Sequence, residues 1–241
     1  MRGIIDIHSH ILPYLDDGAA DMEETIAMLK LAYEQGIRKM VATPHYHLGR
    51  HESSITKVKQ SLEQVRIQMK RQGVTMELVM GNEIYYHPEA IEDVSLGKVS
   101  SLGDSSCVLV EFSPGSFLSY IRQALDFIIR EGYTPVIAHT ERYLELTKNL
   151  DDVANLIDMG CYVQMNAGSI AGNAGMKTKS FCKKLLKNEL VHFVATDCHG
   201  LRSRTPEIQQ SAEYIRKKFG DDYAKRLFID NPETMLSGEY L

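Results

Sequence analysis

The sequence predicts an α/β fold: a TIM-like barrel of seven parallel strands, distorted rather than regular. Seven short apolar runs recur along the 241 residues, helical patterns lie between them, and no run is followed by a Gly-rich phosphate fingerprint. Short runs rich in Val, Ile and Met suit parallel strands covered on both faces. Their alternation with helices points to βαβ units. The missing fingerprint disfavours an open doubly wound sheet, which shares this rhythm. No Pro-, Ser- or Gly-rich linker interrupts the alternation, so one domain spanning residues 1–241 is expected.

The first run is GIIDI (3–7), and MEETIAMLKLAYEQG follows with Ile26, Leu29, Ala32 and Tyr33 on one helical face. Gly36 is the expected stop. After the second run, RKMVAT (38–43), a second helix repeats the pattern with Ile55, Val58, Leu62, Val65 and Met69. The third and fourth runs are MELVM (76–80) and CVLVEF (107–112). SYIRQALDFIIREG then leads to the fifth, TPVIAH (134–139), and DDVANLIDMG to the sixth, CYVQMN (161–166); both helices close on Gly. VHFVATD (191–197) is the seventh.

Composition narrows the function classes. Apolar content of 44%, charged content of 24% and a net charge of −5 are ordinary for a globular protein and give no basic footprint for nucleic acid. No run of apolar residues is long enough for membrane insertion, and no secretory h-region precedes Asp6. Cys107, Cys161, Cys182 and Cys198 form no CxxC, which suits a reduced, cytoplasmic compartment.

Candidate ligands fall where the predicted strands end. His8 and His10 close the first run, two residues apart, so strand alternation points both the same way. Asp17 follows in the next loop. His45 follows the second run, Glu83 the third, Glu111 ends the fourth, His139 the fifth, and Asp197 and His199 the seventh. The carboxyl ends of barrel strands open on one face, so these nine residues should converge. A single His or Glu at a strand end is more often a surface or capping residue; five further strand ends carrying the right type, beyond the first, are harder to explain that way. His47, His51 and His87 read as loop histidines, and His192 faces away from Asp197 by strand parity.

Imidazoles and carboxylates without thiolates suit Mn, Fe or Zn. Nine ligands exceed one tetrahedral ion, so two or three ions are expected, with Glu83 free to bridge. Paired ions activate a shared water and clamp the attacking and leaving oxygens of an in-line displacement, which is phosphoester chemistry. Arg142 and Arg204 stand beside proposed ligands, and their planar forks match phosphate oxygens. Arg202 reads as a surface residue. Cys198 to Arg204 also satisfies C-x5-R, the spacing of cysteine-dependent phosphatases. That loop is poor in glycine, and parity turns Cys198 into packing, so the cysteine mechanism is disfavoured.

The motifs IDIHSHILPYLDDG, ATPHYH, GNEIYY, LVEF, VIAHTER and TDCHG together resemble the polymerase-and-histidinol-phosphatase (PHP) superfamily. Within it, the chain is similar to the manganese-dependent protein tyrosine phosphatases of bacterial capsule and exopolysaccharide loci. The resemblance implies a trinuclear site. His8, His10, Glu83 and Asp197 would hold one ion, with Glu83 bridging to a second held by Glu111 and His139. Asp17, His45 and His199 would hold the third, and Arg142 and Arg204 would bind phosphate. It also implies a cognate bacterial tyrosine kinase as partner. Thr140, where proline is usual, and Cys198, where a small residue is usual, depart from the pattern. A small-molecule phosphatase of the histidinol-phosphate type, and a non-catalytic kinase-binding scaffold, are the competing readings.

Overall fold

The computed structural model describes residues 1–241. Its elements follow in order: β1 (Ile4–Ser9), α1 (Met22–Glu34), β2 (Ile37–Ala42), β3 (His45–His47), β4 (His51–Glu52), α2 (Ile55–Arg71), β5 (Glu77–Met80), β6 (Glu83–Tyr85), α3 (Pro88–Ser95), β7 (Cys107–Glu111) and α4 (Leu118–Arg130). The second half continues with β8 (Thr134–Ile137), α5 (Leu150–Asp158), β9 (Tyr162–Asn166), α6 (Ala167–Ala171), α7 (Met176–Lys187), β10 (Phe193–Ala195), α8 (Gln209–Phe219), α9 (Asp221–Lys225) and α10 (Asn231–Leu236). All seven expected strands and four expected helices are present. The sequence rhythm did not mark α3 or the helices from α6 onward, and it placed the seventh strand too long.

Two of the seven strands are broken, which makes nine segments; the tenth, β4, is a short antiparallel partner of β3. β2 and β3 are interrupted at Thr43–Pro44, and β5 and β6 at Gly81–Asn82. Pro44 has no N–H to give the ladder. Asn82 bridges the gap instead: its Nδ2 donates to the carbonyls of Pro44 and Ser53 at 3.0 and 2.9 Å. Parallel pairing then resumes, with His45 opposite Glu83. The break turns both side chains into the mouth.

The remaining parallel pairs run β6–β7–β8–β9–β10, and β1 joins β2. The barrel closes between β10 and β1. Asp197 N–H donates to the His8 carbonyl and His10 N–H to the Cys198 carbonyl, both at 2.9 Å. The buried Asp6 carboxylate ties the same seam, accepting from Thr196 N–H and from the Thr196 hydroxyl.

Two apolar clusters fill the fold. One of 12 residues, including Ile5, Ile7, Leu109, Val136 and Phe193, plugs the barrel interior. A larger one of 54 residues lies between the strands and the surrounding helices. β1 crosses between these environments through a bulge. Asp6 pairs with Met40 and Ser9 with Ala42, so three steps on β1 match two on β2. Plain alternation would set His8 on the face of Ile4, which packs outward. The bulge after Asp6 brings His8 and His10 to the inside, above Ile7.

Candidate metal centre

All nine residues expected at the mouth meet there. His8 Nε2 and His10 Nε2 stand 3.2 Å apart. Glu83 Oε2 is 3.1 Å from each, and Asp197 Oδ1 lies 3.4 and 3.6 Å away. These four side chains are fully buried. His139 Nε2 reaches Glu83 Oε1 at 2.9 Å and Glu111 Oε1 at 3.4 Å. Asp17 Oδ1 lies 3.4 Å from His45 Nε2 and 3.5 Å from His199 Nε2.

Ligand atoms cluster into three overlapping sets: His8, His10, Glu83 and Asp197; His10, Asp17, His45 and His199; and His45, Glu83 and Glu111. The first coincides with the set implied by resemblance. The second adds His10 to the expected corner. In the third, His45 stands where His139 was expected, and His139 approaches through Glu83 and Glu111.

This donor set fits cations. Glu83 Oε2 is buried, and His8 Nε2, His10 Nε2 and His45 Nδ1 all lie 3.1 Å away, yet it has no hydrogen-bond partner. His199 Nε2 is orphaned likewise. An uncompensated buried carboxylate oxygen is costly unless a proton or cation meets it. The far ring nitrogens are meanwhile engaged. His10 Nδ1 faces Asp16 Oδ2 at 2.7 Å, His8 Nδ1 faces Gln164 Oε1 at 3.2 Å, and His199 Nδ1 faces the Asp197 carbonyl at 3.0 Å. Each of these oxygens is placed to accept an N–H, so that each ring, once neutral, would aim its Nε2 lone pair at the centre.

Among the cluster's own side chains the charges are uneven. Burial opposes charge on His10, but Asp16 and Glu83 outweigh it and raise its pKa to about 10. Burial pushes His45 and His139 down to about 4. Burial, reinforced by neighbouring Glu83, lifts Glu111 to about 8. Asp197 is held well below the usual carboxylate range: burial works against it, but His8, Arg142 and Arg204 prevail.

Both arginines grip Asp197. Arg142 Nη2 donates to its Oδ2 and Arg204 Nη2 to its Oδ1, each at 2.6 Å, and Asn166 Nδ2 adds a 2.7 Å bond. The guanidinium groups remain about one-third exposed, so they face the mouth as well as the aspartate. His139, Asp197 and Arg204 have positive φ values of 33°, 53° and 52°. Non-glycine residues enter this region at a cost, and such strain concentrates at functional sites.

Asp16, Gln164 and Asn166 were missed. Asp16 was passed over for its neighbour Asp17, although it holds His10 and also accepts the His45 N–H at 2.8 Å. Gln164 and Asn166 had a readable signal: two polar residues on one face of an otherwise apolar run. The remaining histidines stay off the cluster. His47 stacks on Tyr85, His87 accepts the Glu89 N–H, and His192 accepts from Val163 N–H. His51 lies one ring beyond His45, 6.3 Å between centroids. Cys198 is buried in the larger core, as expected, and burial drives its thiol pKa well up. Parity alone does not account for this, since β10 ends at Ala195 and Asp197 turns through the left-handed region.

A parallel β/α barrel with a His/Asp/Glu cluster at the carboxyl ends of its strands defines the class: metal-dependent hydrolases. Residues 4–237 match the family model described as capsular polysaccharide synthesis, CpsB/CapC, and the chain belongs to that family. It is 39% identical to the tyrosine-protein phosphatase CpsB of Streptococcus pneumoniae, over 99% of this chain and 100% of the relative. It is 33% identical to the tyrosine-protein phosphatase YwqE of Bacillus subtilis, over 98% and 92% of the two chains. A solved structure from work on YwqE and CpsB, described as unique metal-dependent tyrosine phosphatases, superposes with a TM-score of 0.93 at 33% identity, covering 99% of this chain and 96% of that one. The phosphotriesterase homology protein of Escherichia coli shares the fold at a TM-score of 0.63 and 13% identity, over 97% and 98% of the two chains.

Proposed function

We propose that this protein is a metal-dependent tyrosine-protein phosphatase acting in capsule or exopolysaccharide synthesis. The observation that carries this reading is the orphaned Glu83 Oε2, ringed by three imidazole nitrogens at 3.1 Å and flanked by two arginines on Asp197. Family membership supports the substrate class. We assign His8, His10, Asp17, His45, Glu83, Glu111, His139, Asp197 and His199 to two or three ions, with manganese first and iron or zinc as alternatives. Such ions would acidify a water and neutralise charge developing on phosphorus.

The chain's own groups do the rest. Asp16, Gln164 and the Asp197 carbonyl orient the imidazoles. Arg142 and Arg204 present guanidinium forks to the non-bridging phosphate oxygens and, through Asp197, stay fixed relative to the cluster. Phenolate, whose conjugate acid has a pKa of about 10, departs without strong demand for a general acid. The protein substrate we assign is a phosphorylated bacterial tyrosine kinase, met in the cytoplasm.

The test is reconstitution. Protein stripped of metal should be inactive on a phosphotyrosine peptide and recover with added Mn²⁺. Preference for histidinol phosphate over the peptide would turn the reading to a small-molecule phosphatase. Failure of the fully loaded protein to hydrolyse either substrate would leave a binding scaffold.

A further inference from the structure

Beside the metal cluster, and outside it, lies a second cavity of about 590 Å³. Arg142, Asp197 and Arg204 form the wall it shares with the cluster; Arg202, Asn173 and Ser169 line its outer side. Glu207 is the one lining acid besides Asp197, so three arginines face two carboxylates. Arg202 is exposed and forms no ion pair, unlike the two arginines on Asp197. The floor comes from α6 and the turn into α7. That part of the chain is unusual in a protein of net charge −5: no acidic residue occurs between Asp158 and Glu189, while α7 alone carries five lysines. Lys179 is committed to the Ala171 carbonyl at 2.6 Å. Lys177, Lys183, Lys184 and Lys187 are exposed and form no salt bridge; Lys183 lies over the Tyr214 ring. At helical spacing they fall within about a third of the helix circumference and span about 15 Å, beginning three residues after the cavity-lining Ala174.

Two bland explanations cover part of this. Lysines in a last helical turn answer the helix dipole, which accounts for Lys184 and Lys187. Charged residues are also the default on solvated faces. Neither explains Lys177 at the opposite end of the helix, an acid-free segment of this length, or an unpaired arginine lining the same cavity.

Resting on the phosphatase reading, we propose that the Arg202 cavity and the α7 lysine stripe receive an acidic peptide segment adjoining the phosphotyrosine, so that the enzyme selects substrates whose neighbouring side chains are carboxylates. The scissile phosphate engages Arg142 and Arg204; the flanking carboxylates meet Arg202 and then the lysines. A membrane is the weaker occupant, because Phe181, Cys182, Leu185 and Leu186 of α7 are buried and no apolar face is left to insert.

The experiment compares three substrates on the metal-loaded protein: p-nitrophenyl phosphate, a phosphotyrosine peptide with neutral flanks, and the same peptide with Asp and Glu flanks. The acidic peptide should show a kcat/KM about tenfold above the neutral one at low ionic strength, and the advantage should shrink as salt rises. Arg202→Glu, and separately Lys183→Glu with Lys184→Glu and Lys187→Glu, should erase the advantage through KM. Both should leave p-nitrophenyl phosphate turnover and metal content unchanged. Equal rates on the two peptides in the unaltered protein would overturn the proposal, as would variants that keep the preference. A peptide with a second phosphotyrosine in place of the carboxylates distinguishes the source: preference for it alone overturns the carboxylate assignment. If no substrate turns over, the phosphatase reading fails separately, and fluorescence anisotropy of the same peptides still decides docking. Binding to anionic vesicles without peptide preference would also overturn it.

Discussion

The cluster has an inner and an outer corner, and they are built differently. The inner corner of His8, His10, Glu83 and Asp197 is fully buried, sits on or just past strand ends, and is held from behind by Gln164, Asp16, Asn166 and the two arginines. In the outer corner, the Asp17 side chain is more than half exposed and His45 about one-sixth; Asp17 and His199 lie outside the strands. Both use the same ligand chemistry. The inner donors have little conformational freedom left to lose on binding an ion, whereas Asp17 must be ordered by it. An ion at the inner corner should therefore be held tightly, and one at the outer corner should exchange.

The largest expected effect breaks the comparison by removing what both corners share. Glu83 adjoins imidazoles of both, so Glu83→Ala should take turnover to background and lower the bound metal count by more than one ion. Elemental analysis finding a full complement in that variant would refute the shared role. Next comes the proposed phosphate clamp. Arg142→Ala or Arg204→Ala should cut kcat/KM by one to several orders of magnitude, roughly 2–4 kcal/mol, with metal content kept. Near-unaltered kinetics in both would reduce them to a structural ion pair on Asp197.

Asp17→Ala sharpens the comparison directly. It should cost one weakly held ion while the inner ion survives dialysis; equal loss from both corners would show that they are not independent. Asp16→Asn should act more mildly, weakening metal affinity by about 10- to 100-fold, because the His10 ring and the His45 backbone lose a charged partner but keep a polar one. Metal titration of the stripped variant measures this. The smallest effect is expected of Cys198→Ala: activity retained, stability reduced by about 1 kcal/mol at most, read by thermal melting and kinetics. Complete loss of turnover in a folded variant, with a phosphocysteine trapped on the unaltered protein, would instead favour the C-x5-R reading.

Much of this was legible in one dimension. Seven apolar runs alternating with amphipathic helices determined the parallel barrel, since doubly covered strands and helical faces each have their own periodicity. Residue type at strand ends determined the nine candidate ligands, because a barrel delivers every strand end to one face. Tertiary structure alone decided which way the ends point and what stands behind them. The bulge in β1 is a mismatch between two strands, so nothing local to Ile4–Ser9 announces it. Asp16 and Asp17 are adjacent and chemically alike; only the fold sends one behind His10 and the other between His45 and His199. Gln164 and Asp197 become central only when β9 and the end of β10 close on β1, across more than 150 residues of chain. Short-range periodicity fixes what each element is, whereas orientation and charge depend on contacts between residues far apart in sequence.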